Sequence, residues 1–392
     1  MALKKVRNMM TGRSIRLGAI LMSVLFVSLL VTWGLTRSDS QVIQTIAGTG
    51  SPGYSGDGGR AVEATLNTMQ GLLAGAIDSN GNLYIADTNN HVVRRIDATG
   101  VITTVAGLGP DQAGFNGDNQ PATQAKLAAP SDVALDAAGN LYIADNGNGR
   151  IRKVDGSGII TTVAGGGGPG DGLGDGGPAT AAKLINPSGI TFDSAGNLYV
   201  SEAGRNRIRR VDIATGIITT LAGTSGFGFG GDGGPATAAT FKSPVGMAFG
   251  PDGALYMADS QNHRIRRIGA DGIITTVVNV NGTFQAFSPQ DLKDGGLAVD
   301  AVVRLPMDVA FDRTGNWYIA ENGSNRIRRV DTAGIITTVA GSGDPRVRGC
   351  SGDGGEATSA QLNGPSGVVV DTQGNIYISD SGCFRVRKVN AQ

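Results

Sequence analysis

The sequence predicts an all-β fold, a six-bladed β-propeller of four-stranded antiparallel blades, preceded by one N-terminal transmembrane helix. Three observations predict it. First, one stretch recurs six times: GNLYIADTNNHVVRRID from Gly81, GNLYIADNGNGRIRKVD from Gly139, GNLYVSEAGRNRIRRVD from Gly196, GALYMADSQNHRIRRIG from Gly253, GNWYIAENGSNRIRRVD from Gly315 and GNIYISDSGCFRVRKVN from Gly374. Successive copies start 58, 57, 57, 62 and 59 residues apart, a period that signals a solenoid, a propeller or an array. Second, QVIQTIAG at Gln41–Gly48 matches the later half of the unit (GVITTVAG from Gly100) but has no first half before it. The last copy ends at Gln392 with no such later half. The two fragments complete one another, as in a ring whose last blade takes its outer strand from the start of the chain. An open solenoid needs distinct capping repeats instead, and closure removes the exposed sheet edges that invite aggregation. Third, the first forty residues contain a long apolar run.

That run is uncharged from Leu17 to Leu35 and follows Lys4, Lys5, Arg7, Arg13 and Arg16. At 1.5 Å per residue it spans roughly 28 Å, close to the hydrocarbon thickness of a bilayer. A basic flank stays in the cytoplasm and sends the remainder outside. The expected order is a basic cytoplasmic segment (1–16), a signal anchor (17–35), a short linker (36–40) and the propeller (41–392) closed by strand 41–47. A cleaved signal peptide is the competing reading, although its apolar region is normally shorter and ends in a small-residue site. Both readings export the repeats, onto the cell membrane or as a secreted chain.

Composition agrees with tight, repeated turns. The 392 residues include 63 glycines, more than twice the usual share of about 7%, and they recur at fixed offsets. The chain is formally neutral, and beyond residue 40 it has 27 basic and 32 acidic residues. No nucleic-acid partner is expected from that balance.

Four strands are legible in each unit, and the second copy serves as the example. Strand a is Ser131–Asp136 and turns through D-x-x-G-N, where Gly and Asn tolerate positive φ. Strand b is Asn140–Asp145, rich in aromatic and β-branched residues. A four-residue loop leads to strand c, Arg150–Val154, and a short Asp/Gly turn leads to strand d, Ile159–Ala164. Strands a, b and d have apolar or small residues on both faces, as sheets sandwiched between sheets require. The connector from d to the next a reads as a short helix at Gly174–Leu184, with Pro178 at its first position.

With G-N-[LI]-Y-[IV]-[AS]-[DE], R-[IV]-R-[RK] and the trailing ITTVAG in hand, the units resemble NHL repeats, and Asn90-His91-Val92 and Asn262-His263-Arg264 come nearest to the triplet that names the family. The resemblance covers Gln41–Gln392 and implies a propeller of four-stranded blades. Chain direction alternates, so the b–c loops and d–a connectors share one face, and the a–b and c–d turns share the other. Gln41 enters at the second face, which places the b–c face away from a retained anchor.

Each unit has an acid at the end of strand b: Asp87, Asp145, Glu202, Asp259, Glu321 and Asp380. Five residues later five units have arginine, namely Arg150, Arg207, Arg264, Arg326 and Arg385. Six equivalent sites suit a structural ion pair across the b–c hairpin, because catalysis needs one distinctive centre. The connectors repeat a G-D turn (Gly56-Asp57, Gly117-Asp118, Gly174-Asp175, Gly231-Asp232, Gly352-Asp353, and Asp294-Gly295 in the divergent copy). One Asp among glycines offers too few oxygens for calcium. Gly165–Gly168 lacks the Lys and helix of a phosphate loop.

The positions where copies differ are the candidate ligand contacts. Asp132 and Asp308 stand in strands a of opposed blades, where other units have Ala74, Gly189, Gly246 and Gly367. His91 and His263 occupy equivalent b–c loop sites, also in opposed blades. Propeller lyases and lactone hydrolases similar to the family use divalent metals near the axis, which a zinc site would do with three or four converging ligands. Two opposed histidines read better as loop variation, so neither metal nor cofactor is expected. Cys350 and Cys383, both departures from the repeat on the b–c face of the sixth blade, are expected to form a disulfide outside the cytoplasm. The functional expectation is a non-enzymatic, extracytoplasmic binding scaffold for a protein, peptide or glycan. A metal-dependent propeller lyase or lactone hydrolase is the alternative.

Overall fold

A computed structural model describes residues 41–68, 75–168, 173–282, 293–343 and 349–391. The expected anchor at 17–35, its flanks 1–16 and 36–40, and Ala74 lie outside them. Among the described residues no helix is long and apolar enough to cross a membrane.

The described chain forms six antiparallel sheets, each built in the order a-b-c-d. In the second blade these strands are Pro130–Leu135, Leu141–Asp145, Arg150–Val154 and Ile159–Gly165. The sixth blade supplies a (Pro365–Val370), b (Ile376–Asp380) and c (Arg385–Val389), and its fourth strand is Ile43–Ala47 from the start of the chain. Ile43 faces Val389, Thr45 faces Arg387 and Ala47 faces Val386 in an antiparallel ladder. The incomplete leading and trailing units therefore share one sheet, and the ring is closed.

The sequence sets these strands through local chemistry. In five of the six a–b turns the Asp of D-x-x-G-N accepts backbone N–H groups two and four residues on, as Asp136 does from Ala138 and Asn140. The glycine between them holds φ near +81° at Gly139, a conformation that suits Gly. In four blades the strand-b tyrosine also donates its hydroxyl to that Asp, as Tyr199 does to Asp193 at 3.0 Å.

Six apolar clusters hold the blades together, and each spans a boundary between neighbours. Edge-on aromatic pairs repeat across three of these boundaries: Tyr142 with Phe192, Tyr199 with Phe249 and Tyr256 with Phe311. Each pair contributes about 0.5–1.5 kcal/mol beyond area burial. No blade can bury these faces alone, which is why the repeat folds only as an array.

The connector departs from the expected short helix. It makes a single 3-10 turn at Ala179–Ala181, with Pro178 preceding it at φ −59°. The reason is competition for its N–H groups. Gly176 and Ala179 donate to Ile218 and Gly216 on strand d, so the segment runs as an extra edge along the blade and a helix cannot propagate.

Candidate functional site

The acid ending strand b lies at the centre of a buried network repeated in all six blades. Its partner is the arginine seven residues on, in the middle of strand c: Arg94, Arg152, Arg209, Arg266, Arg328 or Arg387. These six side chains are fully buried and lie 3.1–3.6 Å from Asp87, Asp145, Glu202, Asp259, Glu321 and Asp380. Each also reaches the Asp of the G-D turn at 2.7–2.9 Å. In five blades that Asp accepts the second threonine of I-T-T, or Thr45 in the closing strand. The acid further accepts a backbone N–H from the residue entering strand a, as Asp145 does from Ala128 at 2.8 Å. The G-D turn is thus a clamp joining connector, strand c and strand d. Burial pushes Asp145 up to about 6, and the Ala128 N–H, Asn148 and Arg152 pull against it.

This corrects the sequence-based pairing with the arginine five residues on. Of Arg150, Arg207, Arg264 and Arg385, Arg207 reaches its acid, at 3.3 Å from Glu202. Strand residues two apart share a face, so both arginines face the acid's side, but the earlier one sits at the loop end, where Arg150, Arg264 and Arg385 engage other groups. Arg150 bonds to the Asn148 carbonyl and stacks on Phe115, and Arg264 bonds to Asn262 and stacks on Phe229. Arg385 donates to the carbonyls of Cys350 and Thr49. Arg326 donates to Thr338 and to the Gly343 carbonyl.

His91 and His263 occupy the left-handed position that ends each b–c turn, with φ of +58° and +56°. Asn206, Asn325, Gly149 and Phe384 take the same conformation in the other blades. In four blades the side chain at this position clasps the next blade. His91 Nδ1 accepts the Ala129 N–H and His263 Nδ1 accepts the Leu305 N–H, both at 3.0 Å. Asn206 and Asn325 accept from Ser243 and Gly364 in the same way. The four donors themselves have positive φ and each precedes the proline that opens strand a, an unfavourable setting that the clasp stabilises.

Burial lowers both histidines below their ordinary 6.5. As pH falls, the unfolded chain therefore takes up these protons first, and their contribution, complete above about 6.5, shrinks below it. Exchanging both for Asn is expected to leave stability unchanged at pH 8 and to raise it relative to the parent at pH 5. Melting curves at the two pH values check this.

Asp132 and Asp308 are buried on strands a, the innermost strands, and each holds the next blade. Asp132 accepts from Ile190 at 2.7 Å and Asp308 from Val368 at 3.0 Å, while each accepts its own neighbour's N–H with the other oxygen. Burial pushes Asp308 up to about 7, and burial together with the opposed Asp308 charge raises Asp132 well above the carboxylate range. Gly246 makes room for this, since a Cβ there would lie 2.2 Å from an Asp308 oxygen. A raised folded-state pKa means that protonation favours the folded ring. The contribution of Asp308 is greatest below the unfolded pKa near 4 and is lost as pH rises through about 7. Titrating stability in parent and Asp308→Asn chains is expected to show a shallower decline over that interval in the variant.

The structure does not gather His91, Asp132, His263 and Asp308 around one point. Among the described residues no three His, Cys, Asp or Glu converge as metal ligands. All four carboxylate oxygens of the axial pair and both Nδ1 atoms accept backbone N–H groups.

The b–c/d–a face is assembled by the repeat. Each b–c turn donates an N–H to the residue that ends the connector, as Gly147 does to Ala128 and Gly323 to Arg304. Cys350 and Cys383 are disulfide-bonded here, with Cα atoms 5.6 Å apart. The connectors present large apolar side chains to solvent: Phe227 is 71% exposed, Phe229 42%, Phe115 39% and Tyr54 36%. Arg94 lies 5.1 Å from the Tyr54 ring and Lys242 lies 4.8 Å from the Phe227 ring. Between blades 2 and 3 a cleft of about 390 Å³ opens, lined by Asn148, Gly149, Arg150, Gly166, Lys183 and Asn186 among others. Sequence reasoning singled out none of these aromatics, because the connectors vary in length and mask their alignment. An aromatic three residues before the turn Asp (Tyr54, Phe115, Phe229) was the available signal.

Comparison with known proteins agrees with this architecture. The profile of the teneurin NHL domain matches residues 36–113, 108–171, 167–230 and 227–293, and that of the NHL repeat matches 362–389. Mouse teneurin-4 is 31% identical over 356 residues, covering 82% of this chain. The chain spans 12% of that relative's length. Among solved structures, an auxiliary nutrient binding protein from Bacteroides thetaiotaomicron superposes with a TM-score of 0.63 at 19% identity, over 89% of this chain and 76% of that one. Virginiamycin B lyase from Staphylococcus aureus superposes with a TM-score of 0.51 at 17% identity, over 84% and 98%. These two likenesses establish the propeller fold alone. With the profile matches spread over most of a six-bladed ring, the chain belongs to the NHL-repeat β-propeller family.

Proposed function

We propose that this chain is an extracytoplasmic binding scaffold that engages a protein or peptide through its b–c/d–a face. The observation that carries the reading is the contrast between faces. The a–b and c–d turns are short and closed on themselves by Asp side chains, whereas the opposite face presents Tyr54, Phe115, Phe227 and Phe229 on its connectors. Exposed aromatics beside cations are the composition of interface anchors. The acids and arginines that a catalytic reading would recruit are committed to the buried network. Likeness to teneurins supports a binding role, and the apolar run at 17–35 together with the disulfide supports a place outside the cytoplasm.

The test is capture from an envelope fraction by the full chain, with one variant on each face. Phe227→Glu with Phe229→Glu is expected to lose the captured partner, and Ala137→Glu, on an exposed a–b turn, is expected to retain it. Retention by the first variant or loss by the second contradicts the assignment.

A further inference from the structure

The cleft between blades 2 and 3 lies where blade 2 lacks the clasp. At the position where His91, Asn206, His263 and Asn325 reach across to the next blade, blade 2 has Gly149. The residue it would hold, Asn186, has the same left-handed backbone as its counterparts (φ +50°). Its N–H has no acceptor among the described residues. Glycine also replaces the larger side chain that follows the strand-d glycine in other blades: Gly166 stands where Thr49, Leu108, Thr224 and Ser342 stand. A Cβ at Gly166 would lie 3.1 Å from the Arg150 guanidinium, so its absence lets that group lie along the cleft.

The lining is electropositive. Arg150 and Lys183 are both part of it, and no acidic side chain is. One Arg150 nitrogen is used on the Asn148 carbonyl, and its plane rests on Phe115 at 3.9 Å. Lys183 makes no ion pair among the described residues. A backbone N–H and two cations lining one cleft suit a carboxylate, since charge-assisted N–H···O bonds are the strong class.

Resting on the binding reading above, we propose that this cleft receives a carboxylate presented by a peptide, whose oxygen takes the place of the missing clasp acceptor on the Asn186 N–H while Lys183 and Arg150 pair its charge. The choice of a peptide follows from four other boundaries, where the same N–H is met by a protein amide or imidazole acceptor.

The experiment is fluorescence anisotropy with the full chain and three labelled peptides of otherwise identical sequence. One has a central Asp and an amidated end, one a central Asn and a free C-terminal carboxylate, and one a central Asn and an amidated end. At least one acid-bearing peptide is expected to bind about fivefold or more tightly than the neutral one, the scale of about 1 kcal/mol for partly exposed charge pairs. Which of the two does so identifies a side chain or a chain end as the source. Lys183→Glu is expected to abolish that preference without moving the melting temperature, and added salt to weaken it. Equal affinities for all three peptides, or a preference untouched by Lys183→Glu, overturn the inference and leave the face assignment intact. No peptide binding overturns the inference too, and only a simultaneous failure of the envelope capture removes both.

Discussion

A chain beginning at Thr49, which lacks the closing strand, is expected to lose on the order of 5–10 kcal/mol of stability, comparable to the whole stability of an ordinary domain. The strand is fastened in two boundaries at once. Ile43 is fully buried against blade 5 and blade 6 residues such as Ile327, Leu362 and Val368, and Ala47 is buried with Leu83 and Ile85 of blade 1. Burying a side chain like Ile43 contributes about 1.5–3 kcal/mol, and each hydrogen bond about 0.5–1.5 kcal/mol. Beyond the ladder with Arg385–Val389, the segment bonds the sixth connector at Gly354, Gly355 and Ala357. Thr45 also bonds Asp353 at 2.7 Å. Without it Arg387 and its two acids lose their outer cover. Denaturant titration of the chain starting at Gln41 beside the one starting at Thr49 measures the difference. Equal midpoints would show that the strand contributes nothing.

Arg266→Ala is the second large effect, expected to cost about 3–5 kcal/mol, as breaking a buried charge pair does. Its guanidinium binds Asp259 at 3.4 Å, Asp232 at 2.7 Å and the Gly230 carbonyl at 3.2 Å, and lies over Phe229 and Phe241. Truncation leaves Asp259 buried and without that cation, in a cavity. Adding Asp259→Asn to Arg266→Ala is therefore expected to recover part of the loss, because the stranded charge is gone. Arg266→Lys is expected to be nearly as damaging as alanine, since a point charge cannot span two acids as a planar fork does. Urea midpoints for the four chains check the series, and a Lys variant of parental stability would refute the two-acid geometry.

Much of the fold was legible because the repeat multiplies weak signals by six. The period, the D-x-x-G-N turns and the split unit all depend on local sequence, and local sequence decides strands and hairpins. The ion-pair partner was misassigned because Asp145 and Arg150 are adjacent in the hairpin, and sequence spacing favours the nearest charge. The first copy held the correction: it has Val92 five residues after Asp87 but Arg94 at seven. A partner present in six copies outranks one present in five. The helix expected at Gly174–Leu184 failed for a non-local reason, since its N–H groups are taken by strand d, and propensity does not see that. The clasp was hidden for the same reason. Nothing near His91 reveals Ala129, 38 residues away, although the exchange of His and Asn at one loop position hints at a shared acceptor.

Both faces and every boundary described here depend on a ring closed by its own leading strand. Amide hydrogen exchange of the intact chain tests that most directly, because protection reports local opening. If the ring is closed as described, the amides of Ile43–Ala47 exchange as slowly as those of Arg385–Val389, within about an order of magnitude. Rapid exchange of the first segment beside slow exchange of the second would mean that the circle is open, and the account would be wrong at its foundation.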